Sequence, residues 1–233
     1  MKFLNSIIST LLFSVIVISC TAQTKNALTA DEFEKEITGK ENIQVLDVRT
    51  PGEFFSGHIK NALQADWNDK KEFERRLAFV DKSKPVYVYC LAGGRSAAAA
   101  DKMRKAGFTN IYELAGGTNA WRAANKSLEG NSTEKQMTND ELNASINSSK
   151  TVLVDFGASW CPPCKQMEPV LKSLTENNKG KFALVKVDGG RDQDILQAYK
   201  VTALPVFIVF KDGKQVWRKD GIATEQELAK QFN

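Results

Sequence analysis

The sequence predicts two α/β domains in tandem, a parallel sheet with helices on both faces followed by a mixed sheet with flanking helices. Three observations lead there. Short apolar runs of strand length alternate with helix-length periodic segments. A polar stretch, Asn125 to Lys135, interrupts that alternation near the middle of the 233 residues. Each half also carries cysteine beside a predicted strand end, Cys90 in the first and Cys161 with Cys164 in the second.

In the first half, Ile43–Val48 reads as a buried strand, Lys70–Val80 as a helix and Pro85–Cys90 as a strand. Arg95–Ala106 follows as an alanine-rich helix closed by Gly107, and Ile111–Leu114 as a further strand. Strand–helix alternation of this kind builds a parallel sheet. In the second half a helix at Thr138–Asn147 precedes the strand Thr151–Phe156. A helix from about Cys164 to Asn177 opens behind Pro162-Pro163. Strands at Phe182–Val187, Val206–Lys211 and Gln215–Arg218, with helices at Asp192–Tyr199 and Thr224–Gln231, complete the unit. The turn Lys211-Asp212-Gly213-Lys214 makes the last strand pair a hairpin, so this sheet is mixed. The domain boundaries expected are 26–125 and 136–233, joined by a linker at 126–135.

The N-terminus points to export. Lys2 precedes a mostly apolar run from Ile7 to Ile18, too short for a membrane span of about 20 residues but suited to a secretory signal. The run ends Val17-Ile18-Ser19-Cys20, which resembles the lipobox of bacterial lipoproteins. That resemblance implies a signal peptide at 1–19, a lipidated Cys20 as mature N-terminus, and a periplasmic protein anchored to a membrane. Losing Lys2 lowers the formal charge from +4 to +3, too weak a bias for a nucleic-acid partner.

Of four cysteines, assigning Cys20 to lipid leaves Cys90, Cys161 and Cys164, too few for a disulfide framework; they are expected to be working thiols. The single CxxC, the distant cysteine and the sole histidine, His58, lack zinc-ligand spacing, so neither metal nor other cofactor is expected.

Cys90 ends a strand, the loop Leu91-Ala92-Gly93-Gly94-Arg95 follows, and a helix opens at Ser96. Glycines let backbone N–H groups turn inward as an anion nest, and the helix N-terminus adds positive potential, so this loop should stabilise a thiolate or persulfide on Cys90. The stretch Asp47-Val48-Arg49-Thr50-Pro51-Gly52-Glu53-Phe54, then Gly57-His58-Ile59, Cys90-x-x-Gly93-x-Arg95-Ser96, Gly116-Gly117 and Trp121 resembles the single-domain rhodanese family. The resemblance implies that Cys90 takes sulfane sulfur from a donor such as thiosulfate and passes it on. Asp47, Arg49 and His58 are read as scaffold. Arg95 closes a Cys-x4-Arg loop, tighter than the Cys-x5-Arg of cysteine phosphatases and better matched to sulfur than to a phosphoryl group.

Trp160-Cys161-Pro162-Pro163-Cys164 follows a strand and opens a helix whose N-terminus lowers the pKa of the leading thiol, Cys161; the general example of this effect is thioredoxin itself. Together with Val154-Asp155-Phe156, Lys186-Val187-Asp188 and Val201-Thr202-Ala203-Leu204-Pro205, the motif resembles the thioredoxin family over about 134–233. The resemblance implies a redox-active Cys161/Cys164 pair, Cys161 attacking and Cys164 resolving, with Trp160, Leu204 and a cis Pro205 facing the substrate. Asp155 matches the family's buried acid; inside an apolar strand its pKa should rise and it could accept the Cys164 proton. Pro162-Pro163 departs from the Gly-Pro of thioredoxin proper and is read toward the reductase direction. The expected partners are protein disulfides or persulfides and a membrane thiol-shuttling electron donor. The alternative is a disulfide reductase whose rhodanese-like half is a non-catalytic adaptor or persulfide-binding module.

Overall fold

The structure, a computed structural model, describes residues 26–130 and 135–232. The expected signal peptide and Cys20 lie outside the described residues. In chain order the first domain contains β1 (Ala27–Leu28), α1 (Ala30–Ile37), β2 (Gln44–Asp47), α2 (Pro51–Phe55), β3 (Leu63–Gln64), α3 (Lys70–Leu77), β4 (Val86–Tyr89), α4 (Gly94–Lys105), β5 (Ile111–Leu114) and α5 (Gly117–Ala123). The second contains α6 (Asn139–Ile146), β6 (Thr151–Gly157), α7 (Pro162–Asn177), β7 (Ala183–Asp188), α8 (Gln193–Ala198), β8 (Val206–Lys211), β9 (Lys214–Asp220) and α9 (Glu225–Ala229).

The first sheet has the order β1-β5-β4-β2-β3, and every pairing is parallel. Its strands alternate sides. Val86 and Val88 pack with Phe73 of α3 and Met103 of α4, whereas Tyr87 and Tyr89 pack with Phe33 of α1 and Trp121 of α5. Burial on both faces explains why these strands are so apolar. Parallel strands also gather their carboxyl ends on one edge, which is where Asp47, Gln64 and the residue after Tyr89, Cys90, emerge.

The second sheet runs β7-β6-β8-β9, with β6 parallel to β7 and the remaining pairs antiparallel. One face, with Val152, Val154 and Ile208, covers α6 and α8; the other, with Leu153, Phe207 and Val209, covers α7 and α9. Four helices start with a reciprocal Thr–Glu capping box, Thr29/Glu32, Thr50/Glu53, Thr138/Glu141 and Thr224/Glu227, which satisfies N-terminal N–H groups that would otherwise lack partners. Helix α7 begins at Pro162 rather than Cys164, with Cys161 as its N-cap, because a first-turn proline loses no helical hydrogen bond.

The expected linker is less free than its polarity suggests. His58 and Glu129 exchange backbone hydrogen bonds, Trp121 Nε1 donates to the Ser127 carbonyl, and Lys126 pairs with Asp31 and Glu34. Residues 126–130 are therefore pinned to the first domain.

The domains meet along the β3 edge. The Gln64 N–H donates to the carbonyl of Trp160 at 2.8 Å, and Arg75 Nη2 donates to the carbonyl of Leu204 at 3.0 Å. The Trp160 indole lies 5.7 Å from the Phe54 ring and 5.5 Å from that of Phe55, with the Arg76 guanidinium 5.1 Å from its centroid.

Candidate functional site

Cys90 sits at the carboxyl end of β4 with its thiol buried. Gly93, in a left-handed conformation at φ 101°, turns its N–H back to Cys90 Sγ at 3.1 Å, and Ser96 Oγ lies 3.4 Å from the same sulfur. Burial pushes the thiol pKa up, but the Ser96 hydroxyl and the N–H groups of Ser96, Ala92 and Gly93 outweigh it, and the net shift is downward. The loop is thus a sulfur-anion cradle made of the Ser96 hydroxyl and backbone N–H groups, the latter turned inward as glycines at a helix start allow. Leu91 points to solvent.

Helix α4 opens at Gly94, so Arg95, expected in the loop, lies in its first turn, and its guanidinium is held by Glu53 through hydrogen bonds of 2.7 and 2.6 Å. Ser96 and Glu53 are the two contributors that the motif reading did not single out for the site. Ser96 is the third residue of α4, and Glu53 already has a local role in the Thr50 capping box, so neither announces its site contact in sequence. The glycines at 116 and 117 have a geometric reason: a Cβ on Gly117 would fall 2.3 Å from the Cys90 carbonyl oxygen. That close approach lets Thr118 N–H reach the same oxygen at 2.8 Å and brace the loop.

Asp47, Arg49 and His58 occupy scaffold positions. Arg49 is buried, paired with Asp47 at 2.6 Å and donating to the Gly57 carbonyl at 2.7 Å. His58 stacks on Phe54 at 3.8 Å with Nδ1 on the Phe54 carbonyl, and burial lowers its pKa.

In the second domain Cys161 and Cys164 form a disulfide across the first turn of α7. The Leu204–Pro205 peptide is cis, and Leu204 packs in the same buried cluster as both cysteines. Asp155 is buried in β6, and a cavity of about 330 Å³ joins it to Cys164, Glu168 and Lys186. Burial raises its pKa to about 6, with Lys186 opposing and Glu168 adding to the rise. Such a group titrates near neutrality, where a proton acceptor is useful.

Trp160 and the Leu204 carbonyl meet the first domain, and Pro205 is buried beside them. Cys161 is 0% exposed and Cys164 is 9% exposed. Gln64, Arg75 and Arg76, which contact the adjoining Trp160 and Leu204, belong to the other half of the chain.

A thioredoxin family model matches residues 133–233 and a rhodanese-like domain model matches 29–124. A chloroplastic thioredoxin Y1 of Arabidopsis thaliana is 45% identical over 36% of this chain and 48% of its own, so the chain spans about half the length of that relative. A thioredoxin of Echinococcus granulosus is 42% identical over 35% of this chain and 76% of its own. A solved rhodanese-related protein from Thermoplasma volcanium is 27% identical with a TM-score of 0.40, covering 45% of this chain and 97% of that one. The fold and the sites define a two-domain thiol protein. Its second domain belongs to the thioredoxin family, and its first is a rhodanese-like domain.

Proposed function

We propose that the chain is an exported, lipid-anchored thiol-disulfide oxidoreductase, working as a reductase, whose rhodanese-like half carries sulfane sulfur on Cys90. The observation that carries the sulfur reading is the Cys90 cradle, with the Gly93 N–H at 3.1 Å and the Ser96 hydroxyl at 3.4 Å from Sγ. A thiolate held there attacks the sulfane sulfur of a donor such as thiosulfate. The bond to the sulfonate sulfur breaks, sulfite leaves with the electron pair, and a persulfide remains on Cys90.

The Cys161/Cys164 dithiol then reduces disulfides or that persulfide. Cys161 thiolate attacks the outer sulfur and Cys90 thiolate leaves. Cys164 next attacks Cys161, expelling sulfide and closing the disulfide, while Asp155 takes the Cys164 proton. A membrane thiol-shuttling donor returns two electrons to the pair. Sheet geometry supports an encounter between the sites: Gln64 and Tyr89 share a register across β3, β2 and β4, so their backbones lie two strand spacings apart, about 10 Å.

The test loads the reduced chain with thiosulfate and adds cyanide. Thiocyanate release that is lost in Cys90→Ser supports sulfur transfer. No release from the wild-type chain with any sulfane donor leaves the second reading, a disulfide reductase with a non-catalytic adaptor, which the docking of the first domain on Trp160 favours. Export and the anchor rest on Lys2, the apolar run and Cys20; mass spectrometry of the mature N-terminus tests them, an uncleaved N-terminus overturning export and a cleaved, unmodified end beyond Cys20 overturning the anchor alone.

A further inference from the structure

We propose that the rhodanese-like domain is a built-in competitive ligand of the dithiol, occupying the face that an external protein disulfide must use. The inference rests on the reading of Cys161 and Cys164 as the exchanging pair. Thiol–disulfide exchange requires an incoming sulfur to reach the attacked one, so its rate depends on access as well as on thiolate content. Cys161, the thiol assigned to attack, has no exposed surface, whereas Cys164 retains 9% through the cavity behind it.

The first domain's contacts beside Cys161 are specific. The contacts seat on both loops flanking the disulfide: the Trp160 carbonyl, immediately before Cys161, accepts from Gln64 N–H at 2.8 Å, and the Leu204 carbonyl, immediately before the cis proline, accepts from Arg75 at 3.0 Å. Gln64 belongs to the edge strand β3, whose outward N–H would otherwise be an open sheet edge. Arg75 is itself oriented by Glu72 through hydrogen bonds of 2.6 and 2.7 Å, and Glu72 also holds Arg76, whose guanidinium lies over the Trp160 ring. Backbone carbonyls on both sides of the disulfide are thereby satisfied from within the chain.

The contact is also of a kind that gives way. Arg75 and Glu72 retain 31% and 22% of their side-chain exposure, and interfaces between domains of one chain are ordinarily of the transient type. The closed arrangement shields the dithiol, and reduction of an external protein disulfide begins with release of the Gln64 and Arg75 contacts.

The experiment uses the full chain carrying Cys90→Ser, so that only the dithiol reacts. After reduction, alkylation of Cys161 by a small maleimide is timed by peptide mass spectrometry, and reduction of insulin disulfides is followed in parallel. Arg75→Ala should accelerate alkylation about tenfold, the worth of one hydrogen bond from a charged donor, with Arg75→Lys falling between. Phe55→Ala, which touches Trp160 from the other side and leaves β3 and α3 intact, should act in the same direction and serves if the arginine variant unfolds. Equal alkylation rates in the wild-type chain and the folded variants overturn the proposal. Accelerated alkylation without insulin reduction in any variant upholds the shielding and instead overturns the oxidoreductase reading.

Discussion

The carboxylate of Glu53 grips the guanidinium of Arg95 with two hydrogen bonds, 2.7 and 2.6 Å long, across the mouth of the Cys90 loop. The pairing neutralises the cation that would most directly attract an anionic donor. In Glu53→Gln the capping of α2 is retained, since glutamine serves in a capping box, while Arg95 loses its counter-charge. Thiosulfate loading of Cys90 should rise up to about fivefold, the scale of a partly exposed ion pair, as measured by thiocyanate release against donor concentration.

Ser96→Ala removes the hydroxyl that sits 3.4 Å from Cys90 Sγ. With burial still favouring the neutral thiol, the pKa should move upward and the thiolate fraction fall. Iodoacetamide alkylation of Cys90 at neutral pH should slow about tenfold, and the rate should recover at alkaline pH. A rate unchanged at every pH would mean the backbone N–H groups alone hold the anion.

Gly117→Ala should damage the first site without touching the second. Its Cβ would meet the Cys90 carbonyl oxygen at 2.3 Å and the Leu91 backbone at 2.7 Å, and the backbone sits at φ +59°. A stability loss of about 2 kcal/mol or more is expected from backbone strain and overlap, read as a lowered urea midpoint, together with lost sulfur loading and a preserved Cys161–Cys164 disulfide.

Trapping separates the roles of the paired thiols. Cys164→Ser should accumulate a mixed disulfide through Cys161 when offered a protein disulfide, because the resolving thiol is gone. Cys161→Ser should accumulate none. Mass spectrometry of the adducts decides, and the opposite pattern would reverse the assignment.

Asp155 ties stability to pH. Its folded pKa, about 6, lies above the ordinary value of 3.8, so the folded state holds the proton more tightly. Its contribution is fully present below 3.8 and is lost as pH rises through about 6. Urea unfolding of the oxidised Asp155→Asn chain should therefore show a gain of about 3 kcal/mol over the parent above pH 6, vanishing near pH 4. Turnover should fall in the same variant, since the Cys164 proton has lost its acceptor.

Much of this architecture was legible because the signals are local. Ile43–Val48 and Pro85–Cys90 are continuous apolar runs, and Cys90, Gly93 and Cys161-Pro162-Pro163-Cys164 place chemistry at strand-to-helix junctions. Strands β1 and β3 have two residues each, too short for any periodicity, and α2 and α5 are brief helices set by tertiary contacts. The Glu53–Arg95 pair spans 42 positions and the Arg75–Leu204 contact 129. No spacing rule encodes partners at such separations. The polar composition of 126–130 spoke of water contact and was silent on backbone pairing with His58.

That pairing sets the length of the leash. With Glu129 fixed to His58, the covalent path from Gly130 to Lys135 can extend no further than about 17 Å, at about 3.4 Å for each of its five steps. A domain released from Trp160 stays in the neighbourhood of its berth, at a local concentration on the order of millimolar. Under the competition proposed above, a foreign protein disulfide at micromolar levels contends with a resident rival about a thousandfold more abundant, which favours clients that bind the exposed face tightly.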